Sequence, residues 1–472
     1  MTSAEALDAI DWPALARGMA GELILAGDPR MVLAGKHFAA RLPFAPPRAL
    51  LRCRGVEDIR RALAFAAGHD APFAVRSGGH CFGDLSSSPG LVIDLAEMND
   101  VAVERGHVRC GPGAASGDLS RALAERGRVV PTGGCPLVAI GGLALAGGFG
   151  FLGRRYGLVA DQVERMEVVL ADGRVVTASA QDEADLFWAL RGGGGAGFGI
   201  VTELVLRTHP LEPLTLCNGR WPLAEAPALI EAWQHWAPDA PRAVNLEIGL
   251  AGRDLPEEPC VVELFGIILG TPAETAPHLA GLESRLGRLA AGLRRWELPP
   301  DAAADFLVGL LDRGAGPAWL PSRPYVATGF HATRSQFFER PVGREAIEAL
   351  VARFAEDRRY AQHRDLELIP WRGTYADDDG TACFAHRGAR WLIRHSAFAG
   401  ARSDAALRAH AAAWADASAA TLAGAANGHA YQGYAEPERA DWARACYGEA
   451  APRLAEIRAR YDPQGLFAAA GR

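Results

Sequence analysis

Two short segments place a His and a Cys in glycine-rich surroundings. Residues 76–80 read Arg76-Ser77-Gly78-Gly79-His80, and Gly134-Cys135-Pro136 lies 55 positions beyond His80. Taken singly, a His after two glycines is a turn residue and a lone Cys is a small buried hydrophobe. Here both recur with further glycine clusters: Gly133, Gly141-Gly142, Gly147-Gly148, and Gly192 to Gly195. Proton-transfer candidates stand far downstream. Tyr431-Gln432-Gly433-Tyr434 holds two phenols, and Tyr375 and Asp377 are two apart, so on a strand they share a face. An unperturbed Tyr has a pKa near ~10 and is a poor base at neutral pH, so a phenol in that role needs a nearby cation or acceptor.

The run Gly148-Phe149-Gly150-Phe151-Leu152-Gly153 matches G-x-G-x-x-G, and Asp172 follows 19 residues after Gly153. A dinucleotide fingerprint of this type must follow a buried parallel strand and open a helix. The preceding Ile140 to Gly147 stretch is too broken by glycine for a central strand, and Tyr156-Gly157-Leu158 interrupts any following helix. The pattern is therefore excluded as a Rossmann motif.

Taken together, RSGGH at 76–80, Gly134-Cys135-Pro136 with Val138, Gly141 and Gly142 behind it, Arg155-Tyr156-Gly157-Leu158, Phe198-Gly199-Ile200-Val201-Thr202, Tyr431-Gln432-Gly433-Tyr434 and Tyr461-Asp462-Pro463 resemble the motifs of one family, in that family's order. It is the berberine-bridge-enzyme-like branch of the vanillyl-alcohol oxidase / p-cresol methylhydroxylase flavoproteins, and the resemblance spans about 45–210 and 428–468. It implies FAD bonded through its 8α carbon to His80 and through C6 to Cys135. Arg76, Ser77, Gly78, Gly79, Gly133, Val138, Gly141, Gly142, Gly147, Gly148, Tyr156, Gly157, Gly199, Ile200 and Val201 would surround the cofactor. Residues without a Cβ let backbone N–H groups come close to its pyrophosphate. The implied reaction is hydride transfer from a substrate C–H to flavin N5, with the adjacent O–H or N–H proton taken by a base. The motif positions point to Tyr431 as that base, with Tyr434 beside it and Asp377 or Tyr375 assisting. Val138 is where the family's oxygen-accessible members carry Val, so oxygen is the expected electron acceptor. The expected substrates are a bulky natural-product-type alcohol, hemiacetal or amine, or an oligosaccharide oxidised to a lactone; a dehydrogenase using another acceptor is the third possibility. One departure stands out: the family's Asn in the tyrosine motif is Gly433 here.

The elements that must position these residues follow from periodicity. Glu57 to Ala67 has helical spacing and stops at Gly68. Phe73-Ala74-Val75 and Leu91 to Leu95 read as strands, and Gly117 to Arg126 as a helix with Ser116 as its N-cap. Glu164 to Leu170 reads as a strand that turns at Asp172-Gly173 into Val175-Val176-Thr177. Beyond ~212, strands such as Val261 to Phe265 and Trp391 to Ile393 alternate with helices such as Arg344 to Phe354. Trp221, Trp233, Trp236, Trp319, Trp371 and Trp391 there are expected mainly as core packing. The fold expected is α+β, with a two-lobed flavin domain (1–211), an antiparallel-sheet substrate domain backed by helices (212–420) and a C-terminal segment (421–472) returning to the flavin domain.

The 472 residues are 49% hydrophobic and 22% charged, as in ordinary globular proteins, and the net charge of −7 gives no pull toward nucleic acid or anionic membrane. Eight Cys without a C-x-x-C pair exclude a zinc framework. The first residues show no basic stretch followed by an apolar core, so the cytoplasm is the expected location.

Overall fold

The computed structural model describes residues 4–31, 38, 46–83, 85–194, 197–309, 329–436 and 438–467. Gly195 and Trp319 lie outside them. The first lobe is a four-stranded sheet in the order β1-β2-β4-β3: β1 (Glu22–Leu25), β2 (Ala49–Arg52), β3 (Phe73–Arg76) and β4 (Leu91–Asp94). β2, β3 and β4 run parallel, with the helix Val56–Gly68 as the crossover between β2 and β3. Ile59, Ala62, Leu63 and Ala66 line the buried face of that helix, as the helical spacing requires. The parallel strands end together at Arg52, Arg76 and Asp94, and the RSGGH loop leaves from the end of β3.

The second lobe is antiparallel, in the order β5-β6-β10-β8-β9. Its strands are β5 (Val101–Val103), β6 (His107–Cys110), β8 (Val163–Val169), β9 (Val175–Ser179) and β10 (Ile200–Arg207); β7 (Arg128–Val129) and β11 (His209–Pro210) form a separate two-stranded pair. Gly173, at φ +81°, makes the expected turn between β8 and β9. The G-x-G-x-x-G stretch ends in a four-residue helix, Gly153–Tyr156, outside any parallel βαβ unit.

The third sheet has seven antiparallel strands in the order β15-β12-β14-β13-β17-β18-β16: β12 (Leu214–Pro222), β13 (Val244–Gly252), β14 (Val261–Leu269), β15 (Arg294–Leu298), β16 (Gly329–Phe338), β17 (Gln362–Pro370) and β18 (Trp391–Gly400). Alternate residues Leu246, Ile248, Leu250, Leu366, Leu368 and Ile393 pack under four helices, Ala226–Gln234, Pro272–Leu286, Arg344–Ala355 and Ala405–Ala420. Trp233 and Trp391 are fully buried in that core, and Trp371 in a smaller one on the opposite face. The last helix, Ala451–Tyr461, buries Leu454, Ile457 and Tyr461 in the core of the second lobe.

Two expectations need correction. Ser116 is the first helical residue rather than the N-cap, which is Ala115. Its hydroxyl donates instead to the Val138 carbonyl at 2.8 Å, which also accepts the Ser116 N–H. Tyr375 and Asp377 are not on a strand: Tyr375 lies in a 3₁₀ turn, Gly373–Ala376, and Asp377 ends it. A 3₁₀ turn has no two-residue periodicity, so the shared-face expectation fails.

One buried side chain locks the third sheet onto the second lobe. Arg154, with no exposed surface, donates to four carbonyls: Val244 (2.7 Å), Pro238 (3.1 Å), Ala240 (2.7 Å) and Trp371. The ion pair of Arg387 with Asp161 (2.5 Å) adds a second lock, and Arg387 also donates to the Tyr375 carbonyl.

Candidate active site

The loop carrying His80 and the loop carrying Cys135 touch. A Cβ on Gly78 would lie 2.7 Å from the Ala139 nitrogen and 3.0 Å from the Leu137 oxygen, so glycine is required for this approach. The Cys135 loop is held from behind by the Ser116–Ala124 helix, whose Ser116 and Gly117 N–H groups donate to the Val138 and Pro136 carbonyls. Cys135 is half-buried and takes part in no disulfide. Burial pulls the His80 imidazole down to about 4, which keeps it neutral and nucleophilic at neutral pH. Gly79, at φ +68°, gives the loop its turn. Arg76 is buried and donates to the Ser86 carbonyl at 3.2 Å, and Ser77 is half-buried beside it.

Those residues fit a flavin lying along this contact. A Cβ on Gly142 would meet open space, and Val138 is half-buried on the same stretch. His331, on β16, is buried with neither ring nitrogen bonded among the described residues, and it packs near the His80 loop through Phe38, whose ring stacks on His80. Other glycines serve packing first. Gly141 fits against Pro112, Gly147 against Phe384 and Gly148 against Val159, while Gly133 faces the Phe149 carbonyl. Gly199 sits against Val168 and Val169, and Ile200 and Val201 are buried on β10 opposite Val169 and Val168. Tyr156 donates to Glu212 (2.6 Å) and stacks on His209, and Gly157 ends its helix at φ +92°.

The four proton-transfer candidates part company. Tyr375 is fully buried; its hydroxyl donates to the Gly150 carbonyl (2.9 Å) and accepts the Gly150 N–H (3.2 Å). Asp377 lies at the surface in an ion pair with Arg242 (2.8 Å). Tyr431 and Tyr434 share a turn closed by the Tyr434 N–H on the Tyr431 carbonyl, with ring centroids 5.1 Å apart. The Tyr431 hydroxyl accepts the Gly148 N–H at 3.1 Å, and burial raises its pKa. Gly433 is where a side chain would meet the Tyr431 ring, 2.3 Å from Cε1, which accounts for the glycine in this motif. The cation that a phenol base needs stands beside Tyr434: the Arg394 guanidinium lies 5.6 Å from its ring centroid. Burial still raises the Tyr434 pKa, against the pull of Arg394.

Arg394 exposes a set of residues that motif reading missed. It pairs with Glu367 and Asp365 on β17, each at 3.0 Å. Glu247 and Asn245 on β13, Glu263 on β14 and Asn218 on β12 alternate with the helix-covered apolar residues and so occupy the opposite face of the sheet. All are buried. Asn245 donates to the Gly150 and Phe151 carbonyls, which places this face against the glycine loop. A run of acids and amides at every second position of central strands was the available signal.

A two-lobed α+β unit, a seven-stranded antiparallel sheet with a polar inner face and touching His and Cys loops define an FAD-binding flavoprotein. The description "FAD binding domain" matches residues 47–179, and "Berberine and berberine like" matches 430–470. The chain is 27% identical over 435 residues to the uncharacterized FAD-linked oxidoreductase YgaK of Bacillus subtilis, covering 89% of this chain and 90% of that protein. It is 28% identical over 342 residues to the tetrahydroberberine oxidase of Berberis wilsoniae, covering 68% and 62%. Other curated relatives are matched over about a third to a half of their length. The carbohydrate oxidase of Microdochium nivale, solved with a substrate analogue, superposes with a TM-score of 0.81 over 98% of both chains at 25% identity. Glucooligosaccharide oxidase of Acremonium strictum, described for its 6-S-cysteinyl, 8α-N1-histidyl FAD, shares the fold with a TM-score of 0.80 over 95% of both chains at 23% identity. The chain thus carries an FAD-binding segment and a berberine-like C-terminal segment in the order found in berberine-bridge-enzyme-like FAD-linked oxidoreductases, which it resembles.

Proposed function

We propose that the protein is an oxidase carrying FAD bonded to both His80 and Cys135, and that it oxidises an alcohol, hemiacetal or amine on a bulky substrate. The contact between the two tether loops at Gly78 carries this reading. When bound, FAD supplies the hydride acceptor and passes the electron pair to oxygen, giving hydrogen peroxide. The chain's own residues do the rest. Neutral His80 and the half-buried Cys135 thiol hold the cofactor. The polar face of the seven-stranded sheet binds the substrate. Tyr434 takes the substrate proton in preference to Tyr431, because Arg394 lies beside its ring and favours the phenolate against the burial that opposes it. Asp377 and Tyr375 are held in structural contacts and stay outside proton transfer.

A second substrate class is favoured by one observation. Glu247, Glu263 and Glu367 give the inner face an acceptor-rich surface suited to a polyhydroxylated sugar, which would be oxidised at its anomeric carbon to a lactone. Peroxide release over a panel of mono- and oligosaccharides, benzylic alcohols and cyclic amines separates the two. Anaerobic bleaching of the flavin without peroxide in air would instead mark a dehydrogenase. No bleaching with any member would remove the oxidase reading. Tyr434→Phe is expected to slow flavin reduction by about 10²–10⁴-fold, the usual range for losing a positioned base.

A further inference from the structure

The Tyr431–Tyr434 turn is held by an unusual edge. β16 is the outer strand of the seven-stranded sheet, paired on one side with β18. The chain returning toward the C-terminus covers the other side. Asn427 donates to the Phe337 carbonyl (3.0 Å), and the Phe337 N–H donates to the His429 carbonyl (3.3 Å). Two residues further along the edge, the Ser335 N–H donates to the Glu436 carboxylate at 3.3 Å. The Ser335 hydroxyl in turn accepts the Tyr431 N–H at 3.0 Å. Ser335 is thus clasped at both ends of the turn that carries the two phenols, by Tyr431 before it and Glu436 after it. Glu436 and Ser335 are both buried.

We propose that Glu436 is a positioning residue: it anchors the Tyr431–Tyr434 turn on β16, and protonation of its carboxylate loosens the turn and displaces Tyr434 from Arg394. This rests on the assignment of Tyr434 as the proton-accepting group. Burial pushes the Glu436 carboxyl up to about 7, against the pull of Arg334 and Arg439. The charged groups around it come from every packed element. Arg334 on β16 lies 3.7 Å from its Oε2 and is itself bonded to Asp416 of the Ala405–Ala420 helix (2.7 Å). Glu438 and Arg439 follow on its own segment, and the Cys446 thiol faces it from the Trp442–Tyr447 helix. A carboxylate with a raised folded-state pKa ionises late. The anchor is therefore charged above about pH 7 and neutral below it, and a neutral acid accepts the Ser335 N–H more weakly.

The test uses the holoprotein and needs no substrate. Near-ultraviolet and visible circular dichroism are followed from pH 5.5 to 8.5 for the parent, Glu436→Gln, Glu436→Asp and Ser335→Ala. The expected result is a tyrosine and flavin dichroic change with a midpoint near 7 in the parent. Glu436→Gln should abolish it and hold the low-pH form throughout, and Glu436→Asp should restore it at a lower midpoint. Ser335→Ala, which keeps the backbone donor to Glu436, should keep the titration while altering the tyrosine signal. A full titration in Glu436→Gln overturns the proposal, as does a parent signal independent of pH. Should Glu436→Gln fail to fold, a parent-like midpoint in Glu436→Asp overturns it equally. Protein isolated without any flavin would instead refute the oxidase reading, a result visible in the starting spectrum.

Discussion

Replacing Arg154 with Met tests how the two halves of the site are kept in register. Met retains the apolar stem and removes the guanidinium, which donates to the carbonyls of Val244, Pro238, Ala240 and Trp371. No carboxylate shares the charge among these contacts, so the substitution leaves four buried carbonyls without their donor. Each costs about 1–2 kcal/mol when dry. Against this, burial pulls the guanidinium down to about 10, and removing a charge so penalised recovers about 3 kcal/mol. The net loss is about 1–5 kcal/mol. All four acceptors belong to the substrate-domain part of the chain, at 238–244 and 371, while Arg154 follows the glycine loop. The loss should therefore fall on the docking of the seven-stranded sheet as well as on global stability. Urea unfolding followed by flavin fluorescence and by far-ultraviolet dichroism reads both. The expected outcome is an earlier midpoint for Arg154→Met, with the flavin signal changing ahead of the dichroism. A midpoint within about 0.5 kcal/mol of the parent, with coincident transitions, would refute the clamp.

Three further outcomes are expected. Val138→Leu should slow reoxidation of reduced flavin by oxygen while leaving anaerobic flavin reduction intact, as stopped-flow absorbance would show; unchanged reoxidation removes the gating role. Gly433→Ala must displace the Tyr431 ring, since a Cβ would stand 2.3 Å from Cε1, and should cost about 1–3 kcal/mol and slow flavin reduction; a parent-like variant would contradict the packing. Burial holds His331, His386 and His395 down to about 3 and His209 to about 4, whereas in the unfolded chain they take up protons near pH 6.5. The unfolded state then binds the extra protons, so stability is full above about 6.5 and falls below it, by up to about 4 kcal/mol at pH 5.5 from the three deeply buried imidazoles, the half-exposed His209 adding little. An unfolding midpoint as high at pH 5.5 as at 7.5 would contradict that sign.

The loops that carry His80 and Cys135 were legible as loops because their pattern is local: a glycine pair before His80 and a Pro after Cys135. Strand and helix patterns around 56–94 and 163–179 were legible for the same reason, since each element's period is written within a dozen residues. Ser116 misled because a Ser before a helical run reads as a cap, whereas the folded chain gives its hydroxyl to the Val138 carbonyl 22 residues away. Tyr375 and Asp377 misled because Arg372, at φ +53°, and Gly373, at φ +62°, end the strand and wind the chain into a turn. Glu247, Glu367 and Arg394 were invisible as a group. They come from three strands that meet only through the register of the sheet, and each alone resembles a charged surface residue.

The most direct test of the central claim is acid precipitation of the purified yellow protein, followed by mass spectrometry of its flavin-bearing peptides. The account predicts that flavin stays with the precipitate and joins the peptides containing His80 and Cys135. Flavin recovered entirely in the supernatant would contradict it.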